Sequence, residues 1–102
     1  LEMTDKPQTF LLGEKEHLPS KITRLMASKG WTLEAIQTSE RTPDTAMVLW
    51  YRSLGEFGTE YATHEYWDVD ESFFWGHYFR DDREAAHRDF DSRCKRLWER
   101  NS

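Results

Sequence analysis

The run Ala46-Met47-Val48-Leu49-Trp50-Tyr51 is the longest apolar stretch in this chain and constrains its fold more than any other feature. Six residues are far too few to cross a bilayer. They are apolar at both parities, so a strand built from them buries both of its faces and belongs in the middle of a sheet. Thr45 to Ser53 is therefore predicted as a central strand, entered through turn chemistry over Ser39 to Asp44 that includes Pro43.

The flanking segments supply the remaining elements. Leu18-Pro19-Ser20 reads as a helix entry, since proline is tolerated in the first turn. Ile22, Leu25 and Met26 then recur at i, i+3, i+4 as one apolar stripe, and Gly30 stands where a left-handed residue ends a helix. Trp31 to Thr38 reads as a strand with Trp31, Leu33 and Ala35 on one face and Ile36 on the other. Thr59 to Asp68 and Ser72 to Arg80 form two more strands, joined by a tight Val69-Asp70-Glu71 turn. Asp81-Asp82 place acids at the positive end of a last helix, whose apolar stripe is Ala86, Phe90, Cys94 and Leu97 with Trp98 beside it.

Consecutive strands with short loops imply a meander. The expected fold is α+β: a four-stranded antiparallel sheet in the order α-β-β-β-β-α, with both helices packed on one face. At 102 residues the chain has the length of one domain, assigned to 9–102, with Thr9 to Leu12 available as a short extra strand. Residues 1–8 read as a flexible N-terminus, and Leu1-Glu2 ahead of Met3 as a cloning remnant. The lone Cys94 excludes an internal disulfide and suits a reducing cytoplasm, and no charged-then-apolar leader is visible. A pI near 5.3 argues against general nucleic-acid binding and against docking on anionic lipid.

Leu18-x-x-Lys21-Ile22-x-x-Leu25 followed by Gly30-Trp31-x-Leu33-x-x-Ile36 resembles a helix–Gly-Trp–strand unit of small bacterial domains of unknown function. The likeness covers residues 18–36, about a fifth of the chain, and Thr32 replaces the acid usual after Gly-Trp. It implies a bacterial or phage origin and a small α+β fold, and it carries over no functional residue.

The net charge of −5 comes from one stretch. Glu56, Glu60, Glu65, Asp68, Asp70 and Glu71 fall together without a Lys or Arg, while 1–55 and 81–102 are each charge-balanced. The aromatic residues concentrate nearby, 11 of 15 lying within 50–79. If Asp68 opposes Ser72, Tyr61/Phe79, Thr63/His77, Glu65/Trp75 and Trp67/Phe73 share one face of the hairpin. Glu60/Arg80, Ala62/Tyr78, His64/Gly76 and Tyr66/Phe74 then share the other. This register lets Glu60 meet Arg80 and lets Gly76 make room for His64, though a one-residue slip would exchange the faces.

Two helices on one side leave the second face to be covered by loops or the N-terminal segment, or to remain open. Left open, Tyr66, Phe74 and Tyr78 rimmed by Glu60, His64 and Asp68 have the composition of an interface hot spot. The expected function is a non-enzymatic interaction module that forms a homodimer or binds a basic protein by charge complementarity, as immunity proteins and phage inhibitors do. The turn acids Asp68 to Glu71 read as ordinary solvation. No spacing of His, Cys and acids suggests a metal or cofactor. The alternative is a small-molecule binder or enzyme with an aromatic pocket between sheet and C-terminal helix, near His77 and His87.

Overall fold

The computed structural model describes residues 18–39 and 42–100; the expectations for residues 1–12 lie outside them. The order is α1 (Leu18–Ala27), β1 (Thr32–Ser39), β2 (Thr42–Ser53), β3 (Thr59–Trp67), β4 (Ser72–Tyr78) and α2 (Arg83–Arg100), with a 3-10 turn at Gly55–Phe57 between β2 and β3. The strands form one antiparallel sheet in the order β1-β2-β3-β4. The predicted meander and its two helices are therefore present. No helix among the described residues is long and apolar enough to cross a membrane.

α1 ends as its sequence predicts. Gly30 adopts φ +83°, Trp31 N–H donates to Met26 O, and Gly30 N–H donates to Ala27 O. These are the two bonds of a Schellman close. The turn swings Trp31 onto Ile22 and Met26, so the helix stop also starts the core. Asp82 caps α2, its Oδ1 accepting from the Ala85 N–H.

β2 is central, and all five residues from Ala46 to Trp50 are buried. Ala46, Val48 and Trp50 pack with Ile22, Met26, Trp31, Ala62 and Tyr66 on the α1 side. Met47 and Leu49 pack with Ala86, Phe90 and Leu97 on the α2 side. The helices thus lie on opposite faces of the sheet, not together on one. A strand apolar on both faces exposes whichever face has no layer over it, and one helix per face removes that cost. Pro43, expected in a turn, falls near the start of β2, which begins at Thr42.

Both edge strands carry an extra residue. In β1, Leu33 opposes Trp50 and Ala35 opposes Leu49, so Glu34 is inserted. Leu33 and Ile36 consequently face α1 while Ala35 faces α2. In β4, Ala62/Tyr78 and Thr63/His77 pair in the predicted register, but Glu65 opposes Phe74, Tyr66 opposes Phe73 and Trp67 opposes Ser72. The hairpin loop spans Asp68–Glu71 with Glu71 at φ +49°, one residue more than predicted. A bulge at Trp75, φ +51°, restores the register beyond it. Between bulge and turn the faces therefore exchange relative to the predicted pairing. Phe73, not Phe74, joins Tyr66, and Phe74 lies against Trp67.

Gly76 is needed where the bulge meets His64. A Cβ there would lie 2.4 Å from His64 Nε2. The imidazole cannot move aside cheaply, because Trp50 Nε1 donates to its Nδ1 at 3.1 Å and Tyr78 Oη lies 3.1 Å from its Nε2. Gly76→Ala is expected to cost about 1–3 kcal/mol in urea unfolding, the range for overpacking a filled site. In a His64→Ser background that cost should fall by about 1 kcal/mol or more. Equal costs in the two backgrounds would disprove the clash.

Candidate functional site

The predicted hairpin site is divided by the two-sided packing. Tyr66 is fully buried in the α1 core, and His64 is buried beside it. Phe74 is half-buried on the opposite, α2-facing side against Trp67 and Trp75. Glu60 pairs with Arg52, its partner across β2–β3, rather than with Arg80. Of the expected anchors, Tyr78 stays exposed at 56%. The six residues are not brought together as one open surface.

The acids also have inward roles. Lys21 Nζ bridges Asp68 Oδ1 at 2.8 Å and Glu71 Oε2 at 2.7 Å, and these contacts, Asp68 first, raise its pKa. Tyr66 Oη donates to Asp68 at 2.7 Å, and burial raises the phenol's pKa, with Asp68 adding to it. Asp68 and Glu71 therefore clamp α1 to the β3–β4 hairpin, which corrects the reading of these two as ordinary solvation, while Asp70 stays exposed.

A different site lies under the sheet, between β3–β4 and the C-terminal half of α2. It is an open cleft of about 230 Å³ with Met47 and Leu97 as its apolar lining. Around these stand Glu65, Trp75, His77, Arg93 and Arg96. Glu65 (3% exposed) and Arg93 (6%) are buried. Glu65 Oε2 accepts from Trp67 Nε1 at 2.5 Å. Arg93 Nη1 donates to Thr63 O at 3.3 Å and Thr63 Oγ1 at 2.9 Å. Its Nε and Nη2 have no hydrogen-bond partner among the described residues. Burial lowers the pKa of this guanidinium, against the pull of Asp89 and Glu65.

A chain of bonds positions the rim. Thr63 Oγ1 donates to Asp89 Oδ2 at 2.6 Å, and the same carboxylate lies 2.9 Å from His77 Nδ1. A carboxylate only accepts, so Nδ1 of His77 carries a proton directed at Asp89. The bulge sets the opposite wall. Phe74 and Trp75 are consecutive yet both contact Trp67, with ring centroids 5.1 and 5.7 Å from it. Trp75 reaches the cleft only because its backbone is left-handed, a conformation that costs a non-glycine residue on the order of 1–3 kcal/mol.

His77 lines this cleft as the alternative reading expected, but His87 does not. His87 Nε2 bonds instead to Glu34, the inserted residue of β1, which also accepts from Arg83 Nε at 2.9 Å. Arg93 is absent from the sequence-based expectations, although a signal for it exists. It stands three residues after Phe90 and four before Leu97, a basic residue inside the apolar stripe. Cys94 is half-buried, and burial raises its thiol pKa to about 11. Among the described residues no group of three His, Cys, Asp or Glu side chains is placed to hold a metal ion.

Comparison of the chain with protein families, with curated proteins and with solved structures finds no match. The chemistry of the site is therefore read from its residues.

His64 gives the protein a pH-dependent core. Burial, with Arg93 and His77 adding to it, lowers its pKa from 6.5 to about 4. Accepting the Trp50 N–H requires the Nδ1 lone pair, so protonation breaks that bond. The unfolded chain takes up this proton near pH 6.5 and the folded chain only near 4. Stability from this residue is complete above pH 6.5 and drains as pH falls towards 4, by roughly 3 kcal/mol. Urea unfolding of wild type and His64→Gln across this range should show a shallower pH slope in the variant. Parallel slopes would refute the assignment.

Proposed function

We propose that the protein is a ligand-binding domain whose cleft between β3–β4 and α2 takes a small anion. The observation that carries this reading is Arg93, a buried guanidinium with two donor nitrogens unpartnered among the described residues, lining an open cleft. Leaving buried donors of a charged group unsatisfied is costly, and an oxyanion would satisfy both. Arg96 adds a second cation, and Asp89 orients the His77 ring at the rim. The reading is of binding rather than turnover. The Thr63 hydroxyl is committed to Asp89 and Arg93, and the thiol of Cys94 is raised away from its reactive form.

The test is a titration of ¹⁵N-labelled protein with acetate, benzoate, sulfate and phosphate. At least one should shift the backbone amides of 63–65, 75–77 and 93–97 saturably. If none does, or if the shifts fall elsewhere, the cleft is not a binding site.

A second reading keeps the hairpin as a protein contact, because β4 is an edge strand with Trp75 and Tyr78 both more than half exposed. Glu60, Asp68 and Glu71 already pair with cations of this chain, which favours a second copy of the chain over a basic partner. Sedimentation equilibrium should then show a dimer that Tyr78→Lys dissociates, since charge on an edge strand opposes pairing. A wild-type monomer at all concentrations tested would dispose of this reading.

A further inference from the structure

Resting on the cleft reading above, we propose that the ligand is a small monocarboxylate with an apolar or aromatic body. Arg93 and Arg96 hold the carboxylate, and the body lies against Trp75 and over Met47 and Leu97.

The free donors have the shape that a carboxylate needs. With Nη1 committed to Thr63, the nitrogens left on Arg93 are Nε and Nη2, which form one straight edge of the guanidinium. Two parallel N–H groups on a planar edge match the two oxygens of a carboxylate. Arg96 is tethered through Nη1 to Ser92 Oγ at 2.8 Å, which fixes a second cation at the cleft.

Charge selects a monoanion. Two guanidinium groups line the cleft, but so does the buried Glu65, and Asp89 stands directly behind His77. Two acids thus stand close to the two cations. A dianion such as phosphate would be repelled more strongly by these two carboxylates, whereas a monoanion gains the guanidinium fork with less repulsion.

The apolar half of the cleft sets the body of the ligand. Met47 is buried, and Trp75 is held there by a left-handed backbone although it remains 58% exposed. Ligand sites join an apolar lining to a few placed polar groups, and strained residues cluster at ligand clamps. The 230 Å³ of the cleft is about the volume of eight liquid waters, room for one ring or a short chain.

The experiment compares three probes on the intact chain by calorimetry and ¹⁵N spectra: benzoate, benzyl alcohol and inorganic phosphate. Benzoate should shift the cleft amides and the Trp75 indole N–H saturably, at least about tenfold more tightly than either of the others, as a charge-assisted pair would give. Arg93→Lys keeps the charge but loses the fork and should weaken benzoate about tenfold or more. Should that variant fail to fold, Arg96→Gln and Trp75→Leu carry the test, and unchanged benzoate affinity in both overturns the proposal. Phosphate or benzyl alcohol binding as tightly as benzoate overturns the carboxylate assignment while leaving the cleft a binding site. If none of the three probes perturbs the cleft, the proposal fails, and the wider anion panel then decides the cleft itself.

Discussion

The two-sided burial of β2 is the constraint on which the rest of the structure depends. Ala46, Val48 and Trp50 need cover on one side, Met47 and Leu49 on the other, and the described chain has two helices to provide it. Placing one on each face determines which hairpin residues become core. Tyr66 and His64 share a parity with Trp50 across the sheet and are drawn under the α1 layer. Thr63 and Glu65 share the parity of Met47 and Leu49, so they face α2 and meet Arg93 and Asp89. The face that the sequence leaves either covered by loops or open is thereby closed by α1, and the buried polar groups Thr63, Glu65 and Arg93 lie on the other side.

The two layers differ in kind. Trp31, Trp50, Tyr66 and Phe73 fill the α1 layer with tilted ring contacts, the polar atoms of Trp50 and Tyr66 each reaching a partner. The α2 layer buries Thr63, Glu65 and Arg93 beside a smaller apolar cluster. Buried charge contributes less to stability than apolar packing of the same volume. The α1 side of the sheet is thus filled mainly by aromatic rings, with His64 as its buried polar residue, while the α2 side buries a charged pair of residues, Glu65 and Arg93.

Much of this was legible in the sequence where a local rule sufficed. Gly30 marked the Schellman close, Asp82 the cap of α2, and Ala46–Tyr51 the central strand, each through propensity or periodicity within a few residues. The predicted register also sets Gly76 against His64, as the structure does. What escaped depends on single insertions and on distant pairs. Alternation has no mark for the residue added at Trp75, so the predicted register holds at Thr63/His77 and fails at Tyr66/Phe74. Lys21 lies 47 positions from Asp68, and no local pattern shows that α1 will bring them together. Placing both helices on one face also misplaces the site, because it leaves the Tyr66 face uncovered.

The two bulges make a useful comparison, since both turn consecutive residues of an edge strand towards α2. In β1 the inserted Glu34 has an evident structural role, accepting from Arg83 and His87 and so fastening the first turns of α2 to the sheet. In β4 the left-handed residue is a tryptophan, which gains ring contacts with Trp67 and Phe74 but keeps more than half its surface in solvent. A bulge also blunts a sheet edge, and glycine would serve that purpose without strain. Here the glycine is next door at Gly76, where the His64 ring demands it, and the strained position carries the large ring. Edge protection accounts for the bulge but not for the side chain placed on it. The cleft wall beside Arg93 accounts for both.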